Sequence, residues 1–214
     1  MKSTINEGFV KAFPPGGLIA YYSDWVKQDR ADGLFEILCD ELNWQSRSIR
    51  LFGRSVMQPR LIHFQGDRGV SYRYSGDDYI AEDWHPEVLA LRDSLKYLSC
   101  DILKLIERAP QHEVLFNSVL INRYQHGQDS MGWHADNERS LGRNPVIASI
   151  SLGAIRRFVL RKDDDRQQRF EIRPEHGSLM VMAGDLQHHW QHQLAKTQTN
   201  VAERINLTFR TVLA

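Results

Sequence analysis

The chain has 214 residues, with 27 basic and 27 acidic side chains that cancel at pH 7, enough material for one large domain or two small ones. This balance excludes a chain-wide basic field, so a nucleic-acid partner would need a local basic patch. The two cysteines, Cys39 and Cys100, are far apart, and no run approaches the ~18 apolar residues of a membrane span. We therefore expect a cytoplasmic monomer in one domain, without a disulfide framework, a structural zinc site or membrane association.

The N-terminal part, residues 1–47, predicts an extension followed by one helix. Residues 1–20 contain the run Pro14-Pro15-Gly16-Gly17 and little periodicity, which indicates an extended lead-in. Leucine, isoleucine and phenylalanine recur near the helical period from Asp32 to Leu42, and Asp32 is available as the N-cap.

The segment from Ser48 to Tyr74 consists of short basic and apolar pieces separated by glycine and proline, which predicts β-hairpins. It is the most basic part of the chain, and aromatic rings lie among its cations: Arg47, Arg50, Arg54, Arg60, Arg68 and Arg73 with Phe52, Phe64, Tyr72 and Tyr74. Cations for phosphates together with rings for bases hold single-stranded or extruded nucleotides. The alternative is a hairpin surface with ordinary solvated arginines.

The next segment, Pro86 to Glu107, has apolar side chains at helical spacing and a proline near its first turn. It predicts a helix that faces the core, and we assign it no chemistry.

Val119 to Tyr124 predicts a strand, and its period of two places Leu120, Asn122 and Tyr124 on one face. A turn follows, and beyond it His134 and Asp136 are spaced so that their side chains share one face of an extended segment. With a second histidine from elsewhere, this H-x-D pair would form the 2-His-1-carboxylate triad that suits Fe(II). The pair alone is a weak signal in a chain with nine histidines.

Three histidines near the C-terminus, His188, His189 and His192, are candidates for the missing ligand. They precede a strictly alternating run from Arg204 to Arg210, in which arginine, asparagine, threonine and arginine share one face. Two arginines on an inward face need an anionic partner, and a dicarboxylic acid suits a bidentate guanidinium. The alternative is a solvated outer face with the apolar residues turned to the core.

Several short apolar strands are also predicted around these motifs, within 145–161, 170–173 and 178–182. Many short strands with turns between them are typical of a β-sandwich or a barrel of the jelly-roll type.

Taken together, six elements resemble the AlkB family of iron and 2-oxoglutarate-dependent nucleic-acid dealkylases. In chain order they are N-x-Y (Asn122, Tyr124), H-x-D-x-E (His134, Asp136, Glu138), I-A-S-I-S-L-G (Ile147 to Gly153), H-G-S-L (His176 to Leu179), H-W-x-H-x-L (His189 to Leu194) and R-x-N-L-T-F-R (Arg204 to Arg210). The resemblance starts near Ser48, and we find no match before that residue.

The resemblance implies an α+β fold with a double-stranded β-helix (jelly-roll) core over 114–214. A supporting helix within 85–109 and a β-hairpin nucleotide-recognition lid within 48–84 would complete it. The implied cofactors are Fe(II), 2-oxoglutarate as co-substrate, and O2. The implied reaction hydroxylates an alkyl group on a base nitrogen, as in 1-methyladenine or 3-methylcytosine, and releases an aldehyde. Alkylated DNA is the implied substrate, with RNA as a second candidate.

The resemblance also assigns individual residues. It makes His134, Asp136 and His192 the metal ligands, which leaves His189 in a supporting role. Arg204 would bind the distal carboxylate of 2-oxoglutarate with Tyr124 and Asn206 beside it, and Arg210 and Asn122 would steady the end nearer the metal. The base would be contacted by Arg60, Tyr72 and Tyr74, and by Glu138 through an exocyclic amine.

Three further histidines, His63, His126 and His176, are expected in turns or on the surface. The hairpin at residues 52–57 offers Phe52, Val56 and Met57 as apolar wedges that could fill the gap left by an extruded base, flanked by Arg50, Arg54 and Arg60 for phosphates. Alternatively, the three apolar side chains pack the lid onto the core. Two other functions stay open, namely a 2-oxoglutarate oxygenase acting on a protein side chain and a non-catalytic, cupin-like metal-binding protein.

Overall fold

The structure is a computed structural model that describes residues 8–51, 54–74, 77–104 and 115–213. Within these ranges only the backbone is described at 49–51, 54, 72–74, 77, 78 and 97–104.

The described residues form three α-helices and fifteen strands. The helices are α1 (Gln28–Glu41), α2 (Pro86–Lys104) and α3 (Leu186–His189). The strands are β1 (Phe9–Phe13), β2 (Gly17–Tyr22), β3 (Ser48–Leu51), β4 (Arg54–Met57), β5 (Leu61–Gly66), β6 (Ser71–Tyr74), β7 (Asp77–Ile80), β8 (Ser118–Tyr124), β9 (Met131–His134), β10 (Ile147–Gly153), β11 (Phe158–Lys162), β12 (Arg169–Ile172), β13 (Ser178–Gly184), β14 (Trp190–Leu194) and β15 (Arg204–Arg210).

Two antiparallel sheets make up the core. The larger has seven strands in the order β1-β2-β13-β10-β15-β8-β5, and the smaller has four in the order β12-β11-β14-β9. Strands that are distant in sequence are neighbours in both sheets, as in the pairing of β8 with β15 and of β9 with β14. This arrangement confirms the predicted jelly-roll core.

The two faces of the larger sheet are covered differently. One face packs against the helices, where Leu34 and Leu38 of α1 and Leu91 of α2 join the same buried cluster as Ile150 and Leu207 of the sheet. Each leucine buried in this way contributes about 1.5–3 kcal/mol relative to leaving it exposed. The opposite face is turned toward the smaller sheet, because Ile147 and Met180 share a second cluster with Leu160 and Trp190.

Residues 9–22 belong to the larger sheet, so the prediction of an extended lead-in up to about Ala20 is wrong for this stretch, and residues 1–7 lie outside the described part of the chain. β1 and β2 form a hairpin, and β2 pairs with β13 inside the larger sheet. The run from Gly17 to Tyr21 is buried throughout. A strand covered on both faces shows no polar alternation, and the period-two pattern that revealed the other strands is therefore missing here.

The first helix also begins earlier than predicted. α1 starts after Lys27, and Asp32 lies inside the helix rather than at its N-cap. The Asp32 carboxylate lies 3.1 Å from Nε2 of His176, which links α1 to the loop before β13. The second helix begins at Pro86, as predicted. Proline is tolerated there because an N–H group in the first turn has no acceptor within the helix.

The basic segment divides between two structural roles. β3 with β4 and β6 with β7 form the predicted hairpins, whereas β5 pairs with β8 in the larger sheet. Among the helices of the described ranges, none is long and apolar enough to cross a membrane.

Candidate active site

A cavity between the two sheets collects most of the residues singled out from the sequence. Its described lining comprises Arg60, Leu120, Asn122, Tyr124, Met131, His134, Asp136, Ser149, Phe158, Met180, Met182, His192, Leu194, Arg204, Asn206, Thr208 and Arg210. The alternation of β8 and β15 explains this composition, because the polar face of each strand points into the cavity while the apolar face packs under the helices.

Three side chains in the cavity form one donor set. One ligand atom from each of His134, Asp136 and His192 lies within 4.8 Å of the others, and among the described residues this is the sole cluster of metal-binding groups. His134 ends β9 and faces His192 of β14 across the strand pair. We predicted that His134 and Asp136 share one face of a strand. His134 is the last residue of β9, whereas Asp136 lies two residues beyond the end of that strand.

The geometry turns all three groups toward a common point. Nε2 of His134 is 3.9 Å from Oδ1 of Asp136, and Nε2 of His192 is 3.9 Å from Oδ2 of the same carboxylate. Nδ1 of His134 lies 2.8 Å from the carbonyl oxygen of Gly132. The proton therefore belongs on Nδ1, and the Nε2 lone pair is available to an ion.

The electrostatics of the cavity suit a divalent cation. Burial tends to raise the pKa of Asp136, but the charge of Arg210, joined in strong acid by the two imidazoles when they are protonated, outweighs it and brings this pKa to about 2. Burial, reinforced by His134, lowers the pKa of His192 to about 3, and burial lowers the pKa of His134 as well. Two neutral imidazoles and one carboxylate result, which is the facial donor set that fits Fe(II).

Arg210 holds the carboxylate of this set. Its Nη2 donates to both Oδ1 and Oδ2 of Asp136 at 3.1 Å, and both residues are buried. A guanidinium in this position keeps the aspartate ionised and fixes its orientation between the two histidines.

Arg204 lies in the same cavity without a carboxylate beside it. It is 3 % exposed, its Nη2 donates to Oγ of Ser151 at 2.9 Å, and its Cζ lies 5.5 Å from the centre of the Tyr124 ring. Burial lowers its pKa to about 10, with a small opposing effect of Tyr124, so the side chain is still a cation at neutral pH. No described acid pairs with it, and its buried Nε has no hydrogen-bond acceptor. A buried cation of this kind requires an anion from outside the chain.

The other residues predicted for the co-substrate also line the cavity, and two of them are hydrogen bonded within it. Nδ2 of Asn206 donates to Oγ of Ser149 at 2.8 Å, and Oδ1 of Asn122 accepts from Nε of Arg60 at 2.7 Å. Tyr124 is buried beside Arg204. The strand face that we predicted from alternation is thus an inward face, and the solvated alternative for Arg204 and Arg210 is wrong.

The residues predicted to contact a base are found in three situations. Arg60 is buried inside the cavity. Glu138 is partly exposed just before the 3-10 helix Arg139–Leu141, and it is not among the described residues that line the cavity. The side chains of Tyr72 and Tyr74 lie outside the described part of the chain.

The remaining histidines differ from expectation at one position. His63 was expected on the surface or in a turn, but it is 4 % exposed within β5, where Gln65 and the carbonyl oxygen of Asn43 contact its ring nitrogens at 2.9 and 3.1 Å. His126 is exposed after β8, in agreement with the prediction. His176 is half-buried and its Nδ1 accepts from the Gly153 N–H at 2.7 Å.

Two buried polar residues near the site escaped the sequence analysis. Gln187 of α3 is 1 % exposed, and its Oε1 accepts the backbone N–H of Asp136 at 3.0 Å. Arg156 is 3 % exposed and donates to the carbonyl oxygens of Gly127, Asp129 and Ala195 through Nη2 at 2.7–3.2 Å. Neither residue belongs to a recognisable motif, because the backbone atoms that its side chain contacts near the site are distant in sequence.

Comparison with known proteins gives a consistent result. The model of the 2OG-Fe(II) oxygenase superfamily matches residues 19–210. The chain is 38% identical over 197 residues to alpha-ketoglutarate-dependent dioxygenase alkB homolog 3 of Bos taurus, and 36% identical over 203 residues to that of Homo sapiens. These alignments cover 88% and 91% of this chain but 64% and 66% of the relatives, so the chain spans just under two thirds of their length. It is also 34% identical to DNA oxidative demethylase ALKBH2 of Bos taurus, covering 92% of this chain and 70% of that protein.

Solved structures support the same fold. The structure of OsALKBH1 superposes with a TM-score of 0.65 at 17% identity, covering 94% of this chain and 99% of the other. A 2OG-Fe(II) oxygenase family oxidoreductase from Burkholderia pseudomallei superposes with a TM-score of 0.61 at 15% identity, covering 90% of this chain and 84% of the other.

Fold, donor set and family match together define a 2OG-Fe(II) oxygenase, a class of enzyme that uses Fe(II), 2-oxoglutarate and O2. Within that class, the chain belongs to the AlkB family. The family match begins at residue 19, within β2, so the similarity reaches further toward the N-terminus than Ser48.

Proposed function

We propose that this protein repairs N-alkylated nucleobases in DNA by hydroxylating the alkyl group with Fe(II), 2-oxoglutarate and O2, so that the group leaves as an aldehyde. The observation that carries the proposal is one cavity that contains both the His134, Asp136 and His192 donor set and the buried cation Arg204. The substrate class is supported by relatives that are named DNA oxidative demethylases. RNA is a second candidate substrate, and 1-methyladenine and 3-methylcytosine are the model lesions.

The donor set holds the metal in this proposal. When bound, Fe(II) supplies the chemistry that activates O2 and couples decarboxylation of 2-oxoglutarate to hydroxylation of the alkyl group. Arg210 keeps the Asp136 carboxylate ionised and oriented through its two hydrogen bonds. The imidazoles of His134 and His192 are neutral before binding, so no proton has to be displaced from them.

Arg204 binds the distal carboxylate of 2-oxoglutarate, with Tyr124 and Asn206 beside it. Its lack of a carboxylate partner among the described residues supports this role, because a bound dicarboxylate would satisfy the buried charge. Asn122 and Arg210 lie on the same face and steady the end nearer the metal.

The base enters from the side of the hairpins within 48–84, which we propose as the nucleotide-recognition lid. Arg60 lies in the cavity beside His134, and Tyr72 and Tyr74 belong to β6 of this segment. We assign Glu138 to the exocyclic amine of an adenine or cytosine, whose N–H can donate a hydrogen bond to the carboxylate.

The alternatives make different predictions for the same cavity. A cupin-like binding protein has no use for a buried guanidinium that lacks an anion, which favours an oxygenase. An oxygenase acting on a protein side chain shares Arg204 and the donor set, so only the substrate distinguishes it.

One assay tests the proposal against both alternatives. The protein is incubated aerobically with Fe(II), ascorbate, 2-oxoglutarate and matched DNA and RNA oligonucleotides that contain 1-methyladenine, with His192→Ala as the control. We expect formaldehyde and unmodified adenine from the native chain and neither from the variant. Succinate formation without base repair on either nucleic acid would contradict the proposed substrate and favour a protein substrate. The absence of succinate would favour the binding protein.

The monomeric state and the cytoplasmic location stay predictions. Light scattering of the purified chain and cell fractionation measure them.

A further inference from the structure

Arg60 occupies a position in the cavity that neither the metal nor 2-oxoglutarate explains. It is 6 % exposed, and its charge is one of those that lower the pKa of His134 after the larger effect of burial. A guanidinium enclosed in this way cannot lie along the phosphates of an intact strand. Its target is therefore a group that enters the cavity.

The guanidinium is held in place from one side. Nε of Arg60 donates to Oδ1 of Asn122 at 2.7 Å, and Asn122 is itself 6 % exposed on the inward face of β8. Among the described residues this is the only hydrogen bond of the Arg60 side chain, and no described acid pairs with it. The two terminal amino groups of the fork are thus left for a ligand.

The backbone around Arg60 is tied to the metal-binding strand. The N–H of Ser130 donates to the carbonyl oxygen of Pro59 at 2.9 Å, directly before β9, which ends in His134. The N–H of Arg60 donates to the carbonyl oxygen of Gln58 at 2.9 Å. These contacts fix the position of Arg60 relative to the donor set. A side chain that binds the reacting base needs such a fixed position, because the alkyl group must be held close to the metal.

We propose that Arg60 determines base specificity by donating to a carbonyl oxygen next to the alkylated nitrogen. This inference rests on the proposed function and names the bases that the site prefers. A guanidinium has donors only. In 3-methylcytosine the methylated N3 is flanked by the O2 carbonyl, and in 3-methyluracil by two carbonyls. In 1-methyladenine the methylated N1 is flanked by an amine and a C–H group, neither of which accepts.

The charge of Arg60 does not by itself separate the two common lesions. Both 3-methylcytosine and 1-methyladenine are cations, so repulsion from the guanidinium acts on both and cancels in their ratio. The hydrogen bond from Arg60 to the carbonyl oxygen at C2 of 3-methylcytosine has no counterpart in 1-methyladenine, so it does not cancel in this ratio. 3-Methyluracil is neutral, so the guanidinium does not repel it, and it still offers a carbonyl acceptor. Arg60 should therefore favour 3-methyluracil more than either cationic base.

The test compares three single-stranded DNA oligonucleotides of one sequence that carry 3-methylcytosine, 1-methyladenine or 3-methyluracil. We expect Arg60→Met to lower the ratio of kcat/KM for 3-methylcytosine over 1-methyladenine by about tenfold or more, the loss typical of a hydrogen bond to a charged group. The ratio of kcat/KM for 3-methyluracil over 1-methyladenine should fall at least as far. Arg60→Gln, which keeps an amide donor without the charge, should retain part of both ratios.

Controls separate the other roles that Arg60 could have. Arg92→Met removes an arginine of α2 that packs on Trp84 and pairs with Asp67, outside the cavity lining, and should leave every ratio unchanged. The melting temperature and the KM for 2-oxoglutarate are measured for each variant.

Equal losses on all three bases, or a raised KM for 2-oxoglutarate with unchanged ratios, would overturn the proposal and make Arg60 a co-substrate or structural residue. A native protein that releases no aldehyde from any of the three oligonucleotides would instead contradict the proposed function itself.

Discussion

The backbone N–H of Asp136 donates a hydrogen bond of 3.0 Å to Oε1 of Gln187. This bond joins the segment after β9 to α3, which directly precedes the strand that contains His192. Nε2 of Gln187 lies 3.7 Å from Sδ of Met182, so the amide is oriented at both ends. One glutamine therefore connects the backbone of one metal ligand to the chain that presents another.

Replacing Gln187 with methionine should weaken metal binding while preserving the fold. The variant removes the acceptor for Asp136 at nearly constant volume, and loss of such a supporting partner typically costs about 10–100-fold in metal affinity. Titration of the metal-free protein with Mn(II) measures the effect. Gln193→Met is the matched control, since Gln193 belongs to β14 but is not part of the described cavity lining. Equal affinities in the two variants would show that Gln187 has no positioning role.

Arg204→Lys should raise the KM for 2-oxoglutarate strongly, with a smaller effect on binding of the methylated oligonucleotide. An ammonium cannot reproduce the two parallel hydrogen bonds that a guanidinium makes to a carboxylate, and it loses the contact with the Tyr124 ring. Steady-state kinetics at varied 2-oxoglutarate measures the change. Arg123→Lys is the control, because Arg123 pairs with Glu203 at 2.7 Å and does not line the described cavity. An unchanged KM in Arg204→Lys would rule out the proposed carboxylate contact.

Arg156→Met should destabilise the protein by about 3 kcal/mol, since the carbonyl oxygens of Asp129 and Ala195 each lose a buried donor at a cost of about 1–3 kcal/mol, whereas that of Gly127 keeps the Thr197 N–H. The variant removes the donors to the carbonyl oxygens of Gly127, Asp129 and Ala195. Urea unfolding measures the free energy. The neighbouring Arg157 forms a partly exposed ion pair with Glu171, so Arg157→Met should change stability by less than about 1 kcal/mol. Similar unfolding midpoints for the two variants would contradict the role of Arg156.

Val56 and Met57 are 44% and 56% exposed, which favours the predicted wedge over packing onto the core. Phe52, the third apolar residue of that prediction, lies outside the described residues. Replacing Val56 and Met57 together with alanine should reduce repair of double-stranded substrate much more than repair of single-stranded substrate, because only the duplex has a gap to fill. The melting temperature should change little.

Ile155→Ala is the control for the wedge experiment, as Ile155 is 51% exposed between β10 and β11. A parallel decline on both substrates, or a loss of several degrees in melting temperature, would remove the wedge hypothesis.

Local sequence patterns were sufficient for much of the core and for the H-x-D part of the donor set. The alternation in β8 and β15 predicted which side chains share a face, since neighbouring side chains of a strand point to opposite sides whatever the strand pairs with. The resemblance to the AlkB family, and not a local pattern, identified His192 among three nearby histidines, and the structure places that histidine with His134 and Asp136.

Features that depend on burial from both sides were not visible in the sequence. β2 has no polar alternation because it is covered on both faces, and His63 is buried although histidines are frequent at the surface. Whether the face that contains Arg204 points inward was open for the same reason: alternation defines two faces but does not say which of them another sheet covers.

Local periodicity therefore predicted most strands of the jelly roll and the two faces of β8 and β15, and the family resemblance predicted the chemical class of the site. The packing of the two sheets places Arg60 within the cavity and sets Arg210 and Gln187 against Asp136. The two contacts of Asp136 join residues 74 and 51 positions apart in the chain, and they exist only once the two sheets have closed on each other. Long-range packing brings such partners together, and no local pattern encodes their distance.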